Sequence, residues 1–121
     1  MPNIVKSNLS KQLTHFLKSK LLKDELVVLP TETVYGLAGL GTNIKAAKKI
    51  FLLKKRPLKK KLIFHCSSLK MVDKFFNLDD ENLILAKEFW PGPLTLVLHR
   101  KSLEIPKSLT LNNECAVRVP N

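Results

Sequence analysis

Glycine is scarce in this chain: four residues in 121. Gly36, Gly39 and Gly41 cluster, yet they form neither a GxGxxG fingerprint nor a P-loop, because no Gly-Lys-Ser/Thr follows them. Cysteine is scarcer still. Cys66 and Cys115 belong to no CxxC pair and have no second Cys/His pair at zinc spacing, so two buried, reduced thiols are expected. Aromatic residues make up 7%, with one Trp and one Tyr, which argues against recognition of single-stranded nucleic acid by base stacking. No apolar run has the length of a membrane span, and Met1 to Lys11 lacks the apolar core of a signal peptide. The expectation is a soluble, cytoplasmic protein with no membrane partner. Acidic residues are also few. Ten acids against 21 bases give a net charge of +11, which favours an anionic partner: nucleic acid, nucleotide phosphate or a membrane surface. Charge alone does not choose among these, and a lysine-rich genome would give the same bias.

What is present suffices for one folded domain spanning 1–121. Apolar residues are 45% of the chain, enough for a single core. Leu9, Leu13, Phe16 and Leu17 repeat at helical spacing after a cap at Ser7 or Asn8. Leu26 to Leu29 reads as a buried strand ended by Pro30, which has no N–H to give to a ladder. Behind it stands Thr31-Glu32-Thr33-Val34-Tyr35-Gly36, a concentration of hydroxyls and one phenol at a strand's carboxyl end, where α/β sheets bind ligands. The small residues from Ala38 to Gly41 permit close approach of backbone segments.

Asn43 is suited to cap a second helix, which should stop by about Lys55 because Pro57 disfavours a helical Arg56. From Lys45 to Lys61 there are nine basic residues and no acid. A solvated face accounts for Lys45, Lys48 and Lys49. Lys54-Lys55-Arg56-Pro57 followed by Lys59, Lys60 and Lys61 crowds cations around a stiff turn, an arrangement that suits a polyphosphate. Leu62 to Cys66 is a second strand with His65 at its carboxyl end, on the same edge as the threonine stretch if the strands are parallel. Ser67 or Ser68 caps a third helix, Asp79, Asp80 and Glu81 begin a fourth, and Trp90-Pro91-Gly92-Pro93 breaks it. Leu94 to Leu98 and Ala116 to Val119 are the last strands, separated by turns at Pro106 and Asn112-Asn113. The element order predicts an α/β domain with room for parallel and antiparallel pairs.

Four segments coincide with one pattern: Pro30-Thr31-Glu32-Thr33-Val34-Tyr35-Gly36-Leu37, Lys54-Lys55-Arg56-Pro57, Trp90-Pro91-Gly92-Pro93-Leu94-Thr95 and Ala116-Val117-Arg118-Val119-Pro120. From about Leu9 onward the chain resembles the Sua5/YrdC/YciO family of threonylcarbamoyl-AMP synthases. The resemblance implies a twisted open mixed α/β sheet with flanking helices and a basic concave cavity. It implies a reaction of ATP, L-threonine and bicarbonate giving threonylcarbamoyl-AMP and pyrophosphate, with Mg2+ accompanying ATP. The product would serve N6-threonylcarbamoyladenosine modification of tRNA through threonylcarbamoyl-transferase complex proteins. By the same resemblance Thr33, Tyr35, His65 and Arg118 would bind L-threonine, and Lys54, Arg56, Lys60 and Thr95 would bind ATP, with no residue assigned as acid or base. Each of these positions also has a plainer reading. Thr33 can form a local turn, Tyr35 can pack the core, Lys54 and Arg56 can be a solvated helix end, Arg118 can be a surface strand residue, and Thr95 can be a strand hydroxyl with no ligand. The alternative for the whole is a non-catalytic module binding double-stranded RNA or tRNA. Two departures stand out: Lys60 takes the place of the family's asparagine, and the family's SxN motif has no counterpart before Asn121, as in a C-terminally truncated or reduced member.

Overall fold

The computed structural model describes residues 11–31 and 34–121. The expected first helix cap, at Ser7 or Asn8, lies outside them, as do Glu32 and Thr33. In chain order the elements are α1 (Lys11–Leu22), β1 (Val27–Pro30), β2 (Tyr35–Ala38), α2 (Ile44–Lys54), β3 (Ile63–His65), α3 (Leu69–Phe75), α4 (Asp80–Phe89), β4 (Leu96–His99), a 3-10 turn (Lys107–Leu109) and β5 (Glu114–Arg118).

Helix starts follow the capping residues. Asn43 Oδ1 accepts from the Lys45 N–H at 2.9 Å, Ser68 Oγ from the Met71 N–H at 3.1 Å, and Asp79 Oδ1 from the Asn82 N–H at 2.8 Å. Each bond satisfies one of the donors that a helix leaves without an internal partner. Helix α2 ends as Pro57 demands. Lys55 turns left-handed (φ 49°), its N–H reaches the Leu52 carbonyl at 3.3 Å, and the Arg56 N–H reaches that of Phe51 at 3.0 Å. The end of α1 is tied to the start of α2, because Asp24 accepts from Asn43 Nδ2 and the Asp24 carbonyl accepts from Lys49 Nζ at 2.7 Å.

The α/β class is as expected, but the described strands divide into two sheets. In the larger, the order is β3-β5-β4, with β3 parallel and β4 antiparallel to β5. The smaller is a hairpin in which β1 pairs antiparallel with β2, from Val27 opposite Ala38 to Pro30 opposite Tyr35. The condition under which His65 would share a sheet edge with the threonine stretch, parallel pairing of their strands, is not met, because β1 and β3 lie in different sheets. Tyr35 and Gly36, at the end of the threonine stretch, belong to β2 and pair with Pro30 and Leu29 of β1.

The core lies between the larger sheet and the helices. Phe64, Val117, Leu96, Leu98 and Cys115 point inward against Ala47 and Phe51 of α2, Val72, Phe76, Ala86 and Trp90. Phe64 meets Phe76 edge-on, with ring centroids 5.6 Å apart. Two glycines let the hairpin close on this body. A Cβ on Gly39 would stand 2.8 Å from the Ala46 Cβ, and one on Gly41 3.0 Å from the Phe64 ring. Burial pushes both thiols, Cys66 and Cys115, up to about 11. No helix among the described residues is long and apolar enough to cross a membrane.

Candidate functional site

Period-two alternation gives the larger sheet a second, open face. Its side chains come in rows set by register. Ile63, Ala116 and Val97 form one row, and Ile63 and Val97 are each at least half exposed. The next row brings His65 of β3 beside Arg118 of β5. Thr95 precedes Leu96, the partner of Val117, so it stands level with Arg118 on the other side. On the opposite flank of the apolar row, His99 Nε2 lies 3.7 Å from Glu114 Oε1. Three residues far apart in sequence, His65, Thr95 and Arg118, thus come together at one end of one sheet face.

His65 and Thr95 are exposed, but Arg118 is only 7% exposed, although it belongs to the open face. The plainer reading of Arg118 as a surface residue therefore fails. The Trp90–Pro93 turn packs against its guanidinium. Arg118 Nε donates to the Gly92 carbonyl at 3.2 Å, and the Gly92 N–H donates to the Val119 carbonyl at 2.8 Å. Trp90, buried in the core, braces the turn by donating its Nε1–H to the Leu94 carbonyl at 2.7 Å; the Trp90–Pro91 peptide is cis. The Nε bond ties the guanidinium to the turn, and the other two hold the turn against β5 and the core. Gly92 is a site residue that sequence reasoning missed as such: its only signal was the Pro-Gly-Pro break, which reads as a turn and not as a hydrogen-bond acceptor.

At the hairpin tip, Thr31 forms a local side-chain turn. Its Oγ1 donates to the Val34 carbonyl at 2.6 Å and accepts from the Val34 N–H at 3.2 Å. Thr33 lies outside the described residues. Tyr35 opens β2 and is 76% exposed, so it does not pack the core.

The cationic residues precede β3 and lie on no strand. Lys54 ends α2 and is exposed, Arg56 is half-buried, and Lys60 is exposed in the loop that enters β3. His65 is four residue steps beyond Lys61, about 13 Å of extended chain. The loop thus sits at the amino end of β3 and the His65–Arg118 pair at its carboxyl end. Two shallow depressions, one lined by residues from Ser68 to Phe75 and one by Glu25, Leu26, Lys49, Leu52 and Leu53, contain none of the predicted site residues. The described residues hold no group of three His, Cys, Asp or Glu side chains able to cage a metal ion.

Comparison with known proteins identifies the family to which this fold and sequence belong. Residues 19–121 match the Sua5/YciO/YrdC family model, which carries the description "telomere recombination". The chain belongs to this family. It is 44% identical over 98 residues to the threonylcarbamoyl-AMP synthase of Pyrococcus abyssi, covering 79% of this chain and 28% of that protein. To the threonylcarbamoyl-AMP synthase of Neisseria meningitidis serogroup B it is 37% identical over 122 residues, covering 98% of this chain and 62% of that one. The chain thus spans less than two thirds of the length of these relatives. Its fold superposes on P. abyssi Sua5 complexed with L-threonine with a TM-score of 0.86 and 37% identity, over 94% of this chain and 34% of that one. The fold also matches Escherichia coli YciO, at 22% identity and a TM-score of 0.84.

Proposed function

We propose that this chain carries the L-threonine-binding part, and part of the nucleotide-binding surface, of a threonylcarbamoyl-AMP synthase acting in tRNA modification. The observation that carries this reading is the His65–Arg118 row, with Arg118 fixed by the Gly92 carbonyl. A guanidinium of set orientation is suited to a carboxylate, which it meets through paired N–H groups. His65 and Thr95 flank it with polar groups suited to the ammonium and hydroxyl of a small zwitterion, and the family resemblance assigns Thr33 and Tyr35 to the same ligand. The P. abyssi structure holding L-threonine supports that choice of amino acid. Lys54, Arg56 and Lys60 supply positive charge for the triphosphate of ATP.

The chemistry asks little of side chains as acids or bases. The threonine amine adds to carbon dioxide and loses a proton, or condenses with bicarbonate with loss of water, to give a carbamate. A carbamate oxygen then attacks the α-phosphorus, and pyrophosphate leaves. Positioning and charge stabilisation carry such a transfer. With no carboxylate cage among the described residues, magnesium would be held chiefly by the phosphates and water, as is usual for this ion. The product would pass to threonylcarbamoyl-transferase proteins acting on tRNA.

Calorimetric titration with L-threonine tests the reading, followed by pyrophosphate release in the presence of ATP, bicarbonate and magnesium. Saturable threonine binding, weakened at least about tenfold in Arg118→Ala, is expected from the loss of a charge-assisted contact. Absence of threonine binding by the wild-type chain would sink the proposal. Binding without pyrophosphate would confine this chain to the amino-acid half of the site.

A further inference from the structure

Arg56 directs its guanidinium at its own loop. Nε donates to the Lys60 carbonyl at 2.7 Å and Nη2 to the Lys61 carbonyl at 2.9 Å. The Lys60 N–H closes the turn on the Pro57 carbonyl at 3.0 Å. The far end of the loop is tethered too, because Lys61 Nζ donates to the Ser108 carbonyl at 2.9 Å. Two of the loop's cations thus point at main-chain oxygens, while Lys54, Lys55, Lys59 and Lys60 remain exposed. Like charges crowded on a short loop favour its splaying. A planar fork gripping two successive carbonyls opposes that, and a lysine cannot reproduce it, since its ammonium is a point charge on a flexible stem.

We propose that Arg56 is a positioning residue: it contributes to polyphosphate binding by holding loop 57–61 so that Lys60 and its neighbours form a ready-made cationic rim. This rests on the reading of that loop as the nucleotide side of the site. Ligands that meet a preformed arrangement do not lose affinity to ordering it.

The test uses inorganic tripolyphosphate as probe, with wild type, Arg56→Lys, Lys60→Ala and the double variant, together with hydrogen exchange of the unliganded chain. Arg56→Lys keeps the charge, yet it should lower tripolyphosphate affinity about tenfold. It should also speed exchange at the Lys60 amide before any ligand is added. Lys60→Ala should weaken binding in the wild-type background and add little in the Arg56→Lys background, since the rim is already lost there. The proposal is overturned if Arg56→Lys binds as wild type does. It is equally overturned if affinity falls with loop exchange unchanged, which marks a direct phosphate ligand, or if the two losses simply add. A wild-type chain that does not bind tripolyphosphate overturns the nucleotide reading itself, a result separate from all three.

Discussion

Replacing Gly92 with alanine should unfasten Arg118 without touching it. Glycine is required here for space and not for backbone freedom, because no glycine in the described chain has a positive φ. A Cβ at position 92 would stand 2.5 Å from the Phe89 carbonyl oxygen. Carbon and oxygen in contact sit at about 3.3 Å, so the turn must retreat by about 0.8 Å. That retreat works against both bonds the turn makes with β5: the 2.8 Å bond to the Val119 carbonyl and the 3.2 Å bond from Arg118 Nε. The second has little slack and would be lost first. Overpacking costs about 1–3 kcal/mol, and a broken bond to a charged donor adds about 1.5–3 kcal/mol before relaxation. A net loss of about 3 kcal/mol, or about 10 °C in Tm, is expected for a domain of this size. The only tryptophan, Trp90, sits in the turn itself, so thermal unfolding followed by its fluorescence reads the perturbed place directly. Pro93→Ala, an exposed change in the same turn, should cost less than about 1 kcal/mol. An unfolding midpoint for Gly92→Ala within about 2 °C of wild type would refute the steric argument and, with it, the account of how Arg118 is held.

Two further outcomes follow from local geometry and burial. Lys55 occupies a left-handed position at which glycine is the usual residue, so Lys55→Gly should raise the urea midpoint by an amount equivalent to about 1 kcal/mol; a lowered midpoint would show that the lysine side chain stabilises the helix end in some other way. Cys66 and Cys115, both raised to about 11 by burial, should resist thiol reagents at pH 8 in the native protein and react fully in denaturant. The linked stability runs the same way. Between pH 9 and 11 the unfolded chain releases its thiol protons before the folded one does, so rising pH favours unfolding by a few kcal/mol. Rapid native labelling at pH 8 would contradict the burial account.

Chemistry that acts over three or four residues was legible in the sequence, and chemistry that depends on register was not. Asn43, Ser68 and Asp79 cap their helices because a short polar side chain beside a helix start has one obvious donor to meet. Pro57 announced the end of α2 for an equally local reason. Strand β2 escaped notice because Tyr35-Gly36-Leu37-Ala38 has neither a clear apolar/polar alternation nor a β-branched residue; it is a strand only because β1 lies opposite it. The site divides in the same way. His65 and Arg118 were each singled out, one from its place at a strand end and one by resemblance, yet only the parallel register of β3 and β5 sets them side by side. The roles of Gly92 and Arg56 were least visible of all, since both depend on main-chain carbonyls, whose positions no residue letter encodes. This difference has a consequence for the site. Arg118 and Arg56 are each oriented by backbone oxygens of a proline-bearing turn, so substitutions in those turns that alter no site side chain should still disturb guanidinium geometry. The residues that set the precision of such a site are then the glycine and prolines of its turns as much as the charged side chains that would meet a ligand.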